Sequence, residues 1–171
     1  MAALSFYAYV SAKAGDVVEL IIANPALVTS GAEDARDRAQ SLASALNFSI
    51  GPLKIARRVT LTLGEVVVEP GAWHFPLYWH AERSSWLFPR LHASLEVLAL
   101  SDTLPECQIS LIGDYTPPLG GFGALTDLLL MHQVAQACIH TFVSTLAARL
   151  TLAMKSSAPE TAKVTQGSYR R

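Results

Sequence analysis

Gly113-Asp114-Tyr115-Thr116-Pro117-Pro118-Leu119-Gly120-Gly121-Phe122-Gly123 separates two kinds of periodicity. Before it, from residue 53 on, apolar and polar residues alternate, the two-residue period of a half-buried strand. After it, residues 122–154 follow a helical pattern with no Pro or Gly beyond Gly123. Pro117 and Pro118 have no N–H to donate, and each holds the residue before it extended, so a paired strand ends there. Gly120 and Gly121 then let the chain turn sharply. At ~1.5 Å per residue the following helix is roughly 50 Å long, too long for a single flat layer of short strands. The sheet must curl around it, which gives a grip and a cavity inside the grip.

Upstream of this stretch the strands read one by one. Val59, Leu61 and Leu63 share a face, and Gly64 marks a bulge or turn before residues 65–69. Pro70-Gly71 is a turn. Over residues 73–82, Trp73, Phe75, Leu77, Trp79 and Ala81 align on one face, leaving His74, Pro76, Tyr78 and His80 on the other. Residues 87–100 align Leu91, Ala93, Leu95 and Val97, and residues 106–116 align Cys107, Ile109, Leu111, Gly113 and Tyr115. The N-terminal part reads as a strand over 4–10, a helix over 13–23 capped by Ser11 and ended by Asn24-Pro25, and a second helix over 32–46. In the last helix, His132, Ala135, Ile139, Phe142, Val143, Leu146 and Leu150 fall on one stripe. Short connections between one-sided strands predict an antiparallel meander. The fold class is α+β: a curved antiparallel β-sheet wrapped around a long C-terminal α-helix. Residues 1–154 form one domain, and 155–171 read as a polar, mobile tail.

Composition excludes several functions. With 51% apolar and 16% charged residues the chain buries a core rather than staying disordered. A net charge of -1 offers no basic face for nucleic acid. Cys107 and Cys138 fall in apolar elements and have no metal or redox spacing, so a reduced state and a cytoplasmic location are expected. Gln133, Gln136, His140, Thr141 and Arg149 interrupt the last helix, so no membrane span is expected. The five histidines do not converge with carboxylates at ligand spacing, so no metal or other cofactor is expected. No nucleophile elbow, phosphate loop or dinucleotide fingerprint is present in the sequence, and no catalytic residue can be named from it.

Four phrases carry a family resemblance: Pro76-Leu77-Tyr78-Trp79-His80-Ala81; Leu87-Phe88-Pro89; Leu111 through Gly120; and Met131-His132-Gln133-Val134-Ala135 after Asp127. In order and spacing they resemble the START-like, helix-grip superfamily, also called SRPBCC, which includes polyketide cyclases and birch-pollen-allergen-like proteins. The resemblance covers residues 53–150. It implies a hydrophobic pocket between the curved sheet and the last helix, and it implies no particular reaction. The first half departs from the family pattern: Val17-Val18-Glu19-Leu20 has no aromatic residue, and 29–46 has no tryptophan-containing loop.

The inward parity of Trp73, Phe75, Leu77, Trp79, Leu95, Leu111 and Tyr115, facing His132 and Phe142 of the helix, gives a mostly apolar lining for a lipid, isoprenoid or polyketide-like molecule. Tyr115 would anchor that ligand by its phenol, and the competing reading is a core tyrosine bonded to a loop. Plain core packing competes likewise for the tryptophans, and a satisfied core histidine for His132. Two alternatives stay open beside simple binding. One is a polyketide cyclase or hydratase acting in the same cavity. The other is an interaction module using the neutral helix face of Gln133, Ala137, Thr141, Ser144, Ala148 and Thr151, for which a second copy of the chain is the expected partner.

Overall fold

The computed structural model describes residues 2–31, 59–81, 90–101, 103–116 and 125–157. The expected second helix over 32–46 and the quoted turn from Pro117 to Gly123 lie outside the described residues. In chain order the elements are β1 (Ala2–Val10), α1 (Ala14–Ala23), α2 (Ala26–Thr29), β2 (Val59–Leu63), β3 (Val67–Glu69), β4 (Ala72–Ala81), β5 (Arg90–Ala99), β6 (Cys107–Thr116) and α3 (Leu125–Ser157). Two local expectations are corrected. The residue capping α1 is Lys13 rather than Ser11, because a tight bend with Ala12 N–H on Val10 O (2.9 Å) sets the helix back. Pro25 ends α1 as expected but also starts α2, a position where its fixed φ suits a helix.

The described strands form one antiparallel sheet in the order β1-β6-β5-β4-β2, with β3 also pairing with β4. β2 and β3 are two parts of one broken edge. Gly64 N–H donates to Pro76 O at 2.7 Å, and Pro76 has no N–H with which to answer, so pairing stops and resumes at Val67. At the β3–β4 hairpin Gly71 has φ +76°, the left-handed conformation that a Pro-Gly turn needs at its second central residue. Gly113 has a different role. A Cβ there would lie 2.4 Å from the His92 carbonyl oxygen and 2.6 Å from Ala93 Cα. Only the absence of a side chain lets β5 and β6 approach this closely.

The parity read from the sequence holds in β4, β5 and β6. Phe75, Leu77, Trp79, Leu91, Leu95, Val97, Cys107, Ile109 and Leu111 are buried on the concave face, in one cluster with Val17 and Ile21 of α1, Val28 of α2 and Phe142, Leu146 and Leu150 of α3. Arg149 Nη1 donates to Ser30 Oγ at 2.6 Å and pins the end of α2 to α3. The arrangement is a helix-grip: a curved antiparallel sheet around a long C-terminal helix. Within that helix, Ala135–Ser156 is long and apolar enough to cross a membrane by length and composition, with mean hydropathy 1.3 despite its polar residues. Its stripe of Phe142, Val143, Leu146 and Leu150 is buried against the rest of the fold.

Candidate functional site

Burial is graded along α3. In its C-terminal half Phe142, Val143, Leu146 and Leu150 are 0% exposed. In its N-terminal half, His132 and Ala135 of the same stripe are half-buried, as is neighbouring Cys138, while Ile139 is buried. Cross-strand register places Leu4, Gly113, Ala93 and Leu77 in one row. The two smallest members, Gly113 and Ala93, are half-buried, while Leu91, Leu95 and Leu111 around them are closed in.

The space between sheet and helix opens at the β1 flank. A groove of about 420 Å³ is lined by Leu4, Ser5 and Phe6 of β1 and by Gln133, Gln136, Ala137, Ile139 and His140 of α3. The Phe6 and His140 rings meet at a centroid distance of 4.3 Å and a tilt of 59°, which ties strand to helix. Most of the lining is apolar, and its polar groups are neutral amides, a hydroxyl and an imidazole. Among the described lining residues His140 is the one titratable side chain.

The expected lining residues divide into three groups. Phe75, Leu77, Leu95, Leu111 and Phe142 are at most 2% exposed, and Trp79 packs on Phe142 at 6.4 Å between ring centroids. Trp73 and His132 are half-buried. The Tyr115 backbone pairs with Ala2 and Leu91, but its side chain lies outside the described residues. Of the eight whose side chains are described, none is among the described residues that line the groove. Its helix residues were legible only as interruptions of an apolar run, and the signal that would have found them is that they all face β1.

The convex face carries a separate polar row. His74 Nδ1 lies 3.3 Å from Glu96 Oε1, and its Nε2 lies 3.5 Å from Glu69 Oε2. The buried Ser110 hydroxyl donates to Glu96 Oε2 at 3.4 Å. Tyr78 and His92 meet edge-on at 5.5 Å. His74 and His92 are thus on the outer face, as their parity predicts, and the His74 cluster links β3, β4, β5 and β6. Burial, with a smaller contribution from the Glu106 charge, raises the Cys107 thiol to about 11, so it is neutral and inert at ordinary pH. Among the described residues no cluster of His, Cys, Asp and Glu has the arrangement of a metal site.

No family model and no curated protein matches the chain. Several solved structures are similar to it, two of them as follows. TTHA0849 from Thermus thermophilus is 14% identical over 89% of this chain and 99% of its own, with a TM-score of 0.40. The Zhui aromatase/cyclase from Streptomyces sp. R1128 is 12% identical over 92% of this chain and 98% of its own, with a TM-score of 0.43. At these scores the similarity carries no argument about the site, which rests on the geometry above.

Proposed function

We propose that this protein is a helix-grip binding protein of the START-like kind, holding a small, largely apolar molecule between the curved sheet and the N-terminal half of α3. The observation that carries the reading is the groove between β1 and α3, beside a stretch of α3 in which His132, Ala135 and Cys138 are only half-buried. A flank opening of about 420 Å³ falls in the ~300–1,000 Å³ range of small-molecule sites. Gln133, Gln136, Ser5 and His140 supply the few polar groups that orient such a ligand. Trp79, Leu111, Tyr115, His132 and Phe142 belong to the proposal as the inner wall. Among the described lining residues His140 is the single proton-transfer group, which favours binding over the cyclase or hydratase alternative, since proton transfer during ring closure calls for a positioned acid and base.

The test is titration with 8-anilinonaphthalene-1-sulfonate, followed by displacement with a panel of fatty acids and polycyclic phenols. Saturable binding at one site per chain is expected. Gln136→Trp and Ala137→Trp fill the groove, so each abolishes that signal while the melting temperature stays close to wild type. Saturable binding that survives both substitutions, or no binding by wild type across the panel, refutes the reading.

A further inference from the structure

Among the described residues β1 is an unprotected sheet edge, paired with β6 alone. Natural edges are usually blunted by Lys, Pro, a bulge or a covering element. Ala2–Val10 reads Ala-Ala-Leu-Ser-Phe-Tyr-Ala-Tyr-Val, nine residues with no charge, no Pro and no Gly. Tyr7 and Tyr9 are each 54% exposed on its outer face, edge-to-face at 5.7 Å. Tyr7 stacks on Phe6 at 6.3 Å, and Phe6 meets His140. A chain of four rings therefore wraps the edge from the convex face into the groove. The adjoining flank of α3 is neutral as well: Gln133, Ala137, Thr141, Ser144 and Ala148 carry no charge, and Thr141 turns its hydroxyl back onto Ala137 O at 2.9 Å.

We propose that a second copy of this chain pairs antiparallel with β1 along its free edge, in a two-fold arrangement centred on Tyr7. Identical antiparallel strands in that register place Ser5 of one protomer opposite Tyr9 of the other, Phe6 opposite Ala8, and Leu4 opposite Val10. On both faces a large side chain meets a smaller one, and Tyr7 meets its own copy as an aromatic cross-strand pair. The two-fold runs perpendicular to the joined sheet, so the two α3 helices lie on the same side and bring their neutral flanks together. A charged or basic partner finds nothing complementary on this edge. A second uncharged copy does, and the isologous contact closes at two subunits. The pairing does not rest on the ligand reading, because it uses the strand edge and needs no ligand.

Sedimentation velocity of the ligand-free protein over a wide concentration range reads the association. Wild type is expected as a dimer. Tyr7→Lys sets two like charges opposite each other and should weaken association by about tenfold or more, with an unchanged circular dichroism spectrum showing that the exposed site tolerates it. Tyr7→Thr keeps a strand-forming residue without the ring and should give an intermediate constant. Tyr7→Cys should form an interchain disulfide under mild oxidation, because directly opposed antiparallel residues lie ~4.5–5.5 Å apart at Cα, within disulfide range. Wild type that stays monomeric at every concentration, a Tyr7→Lys dimer as tight as wild type, or a Tyr7→Cys dimer that does not cross-link overturns the proposal. Binding of 8-anilinonaphthalene-1-sulfonate by the Tyr7→Lys monomer is a separate readout, so failure of the ligand reading and failure of the pairing are distinguished.

Discussion

Gly113→Ala should destabilise the fold severely, against the usual direction for that change. Replacing a strand glycine with alanine ordinarily stabilises by about 0.5–1 kcal/mol, because the unfolded chain loses freedom. Here the new Cβ would sit 2.6 Å from Ala93 Cα and 2.4 Å from the His92 carbonyl oxygen. Favourable carbon–carbon contact is ~3.5–4.0 Å, so the shortfall is about 1 Å. The third obstructing atom is Ala93 Cβ, also at 2.6 Å, and since the other two are backbone no rotamer change moves any of them. β5 and β6 must part at the Ala93–Gly113 pair, in the middle of the Arg90–Thr116 to Ala99–Cys107 ladder, and hydrogen bonds on either side stretch. Overpacking costs ~1–3 kcal/mol where side chains can adapt, so about 3 kcal/mol or more is expected. For a chain of this size that corresponds to a drop of roughly 6–12 °C in Tm. Circular dichroism melts and urea titrations of wild type, Gly113→Ala and Gly113→Ala/Ala93→Gly measure it. The double variant removes the clash with the Ala93 side chain but not the one with the His92 carbonyl, so it should recover less than half of the loss. A Gly113→Ala protein as stable as wild type refutes the close-approach argument.

Three further outcomes follow from the packing. Phe142→Ala empties a fully buried site beside Trp79 and should cost ~3–5 kcal/mol in urea unfolding, with Trp79 emission shifting to the red. Gly71→Ala forces an alanine to φ +76° and should cost about 1–2 kcal/mol by thermal melt, whereas Gly71→Asn should cost less. The Cys107 thiol, raised from 9.0 to about 11, should resist iodoacetamide in the folded protein at pH 8 and react on unfolding. Because the folded state holds that proton more tightly, its stabilising contribution is whole below pH 9 and is lost as pH rises through 11, which pH-dependent urea midpoints will report.

The sheet was legible in the sequence because its signal is local. Alternation in 73–81, 91–97 and 107–111 sets which side chains turn inward, and Gly64 and Pro70-Gly71 mark where pairing breaks or reverses. α2 was not legible because Pro25 reads first as a terminator, although the same fixed φ also begins a helix. The site was less legible, because its shape depends on distances no local pattern encodes. The Phe6–His140 contact joins residues far apart in the chain, and the close approach of Ala93 and Gly113 exists only because register sets two small residues side by side. The histidine parity was readable, but the pairing of His74 with Glu96 depended on the β4–β5 register.

The pairing of β1 with β6 has a consequence during synthesis. Phe6 pairs with Leu111, and α3 follows later still. At ~5–20 residues per second, β1 waits roughly 5–20 s after translation before its partner strand exists. An uncharged, aromatic strand left unpaired for that time is the segment of this chain most open to capture by other nascent strands. Nascent-chain yield should therefore respond to a slower ribosome, or to a chaperone that shields the first ten residues, far more than the stability of the finished fold would indicate.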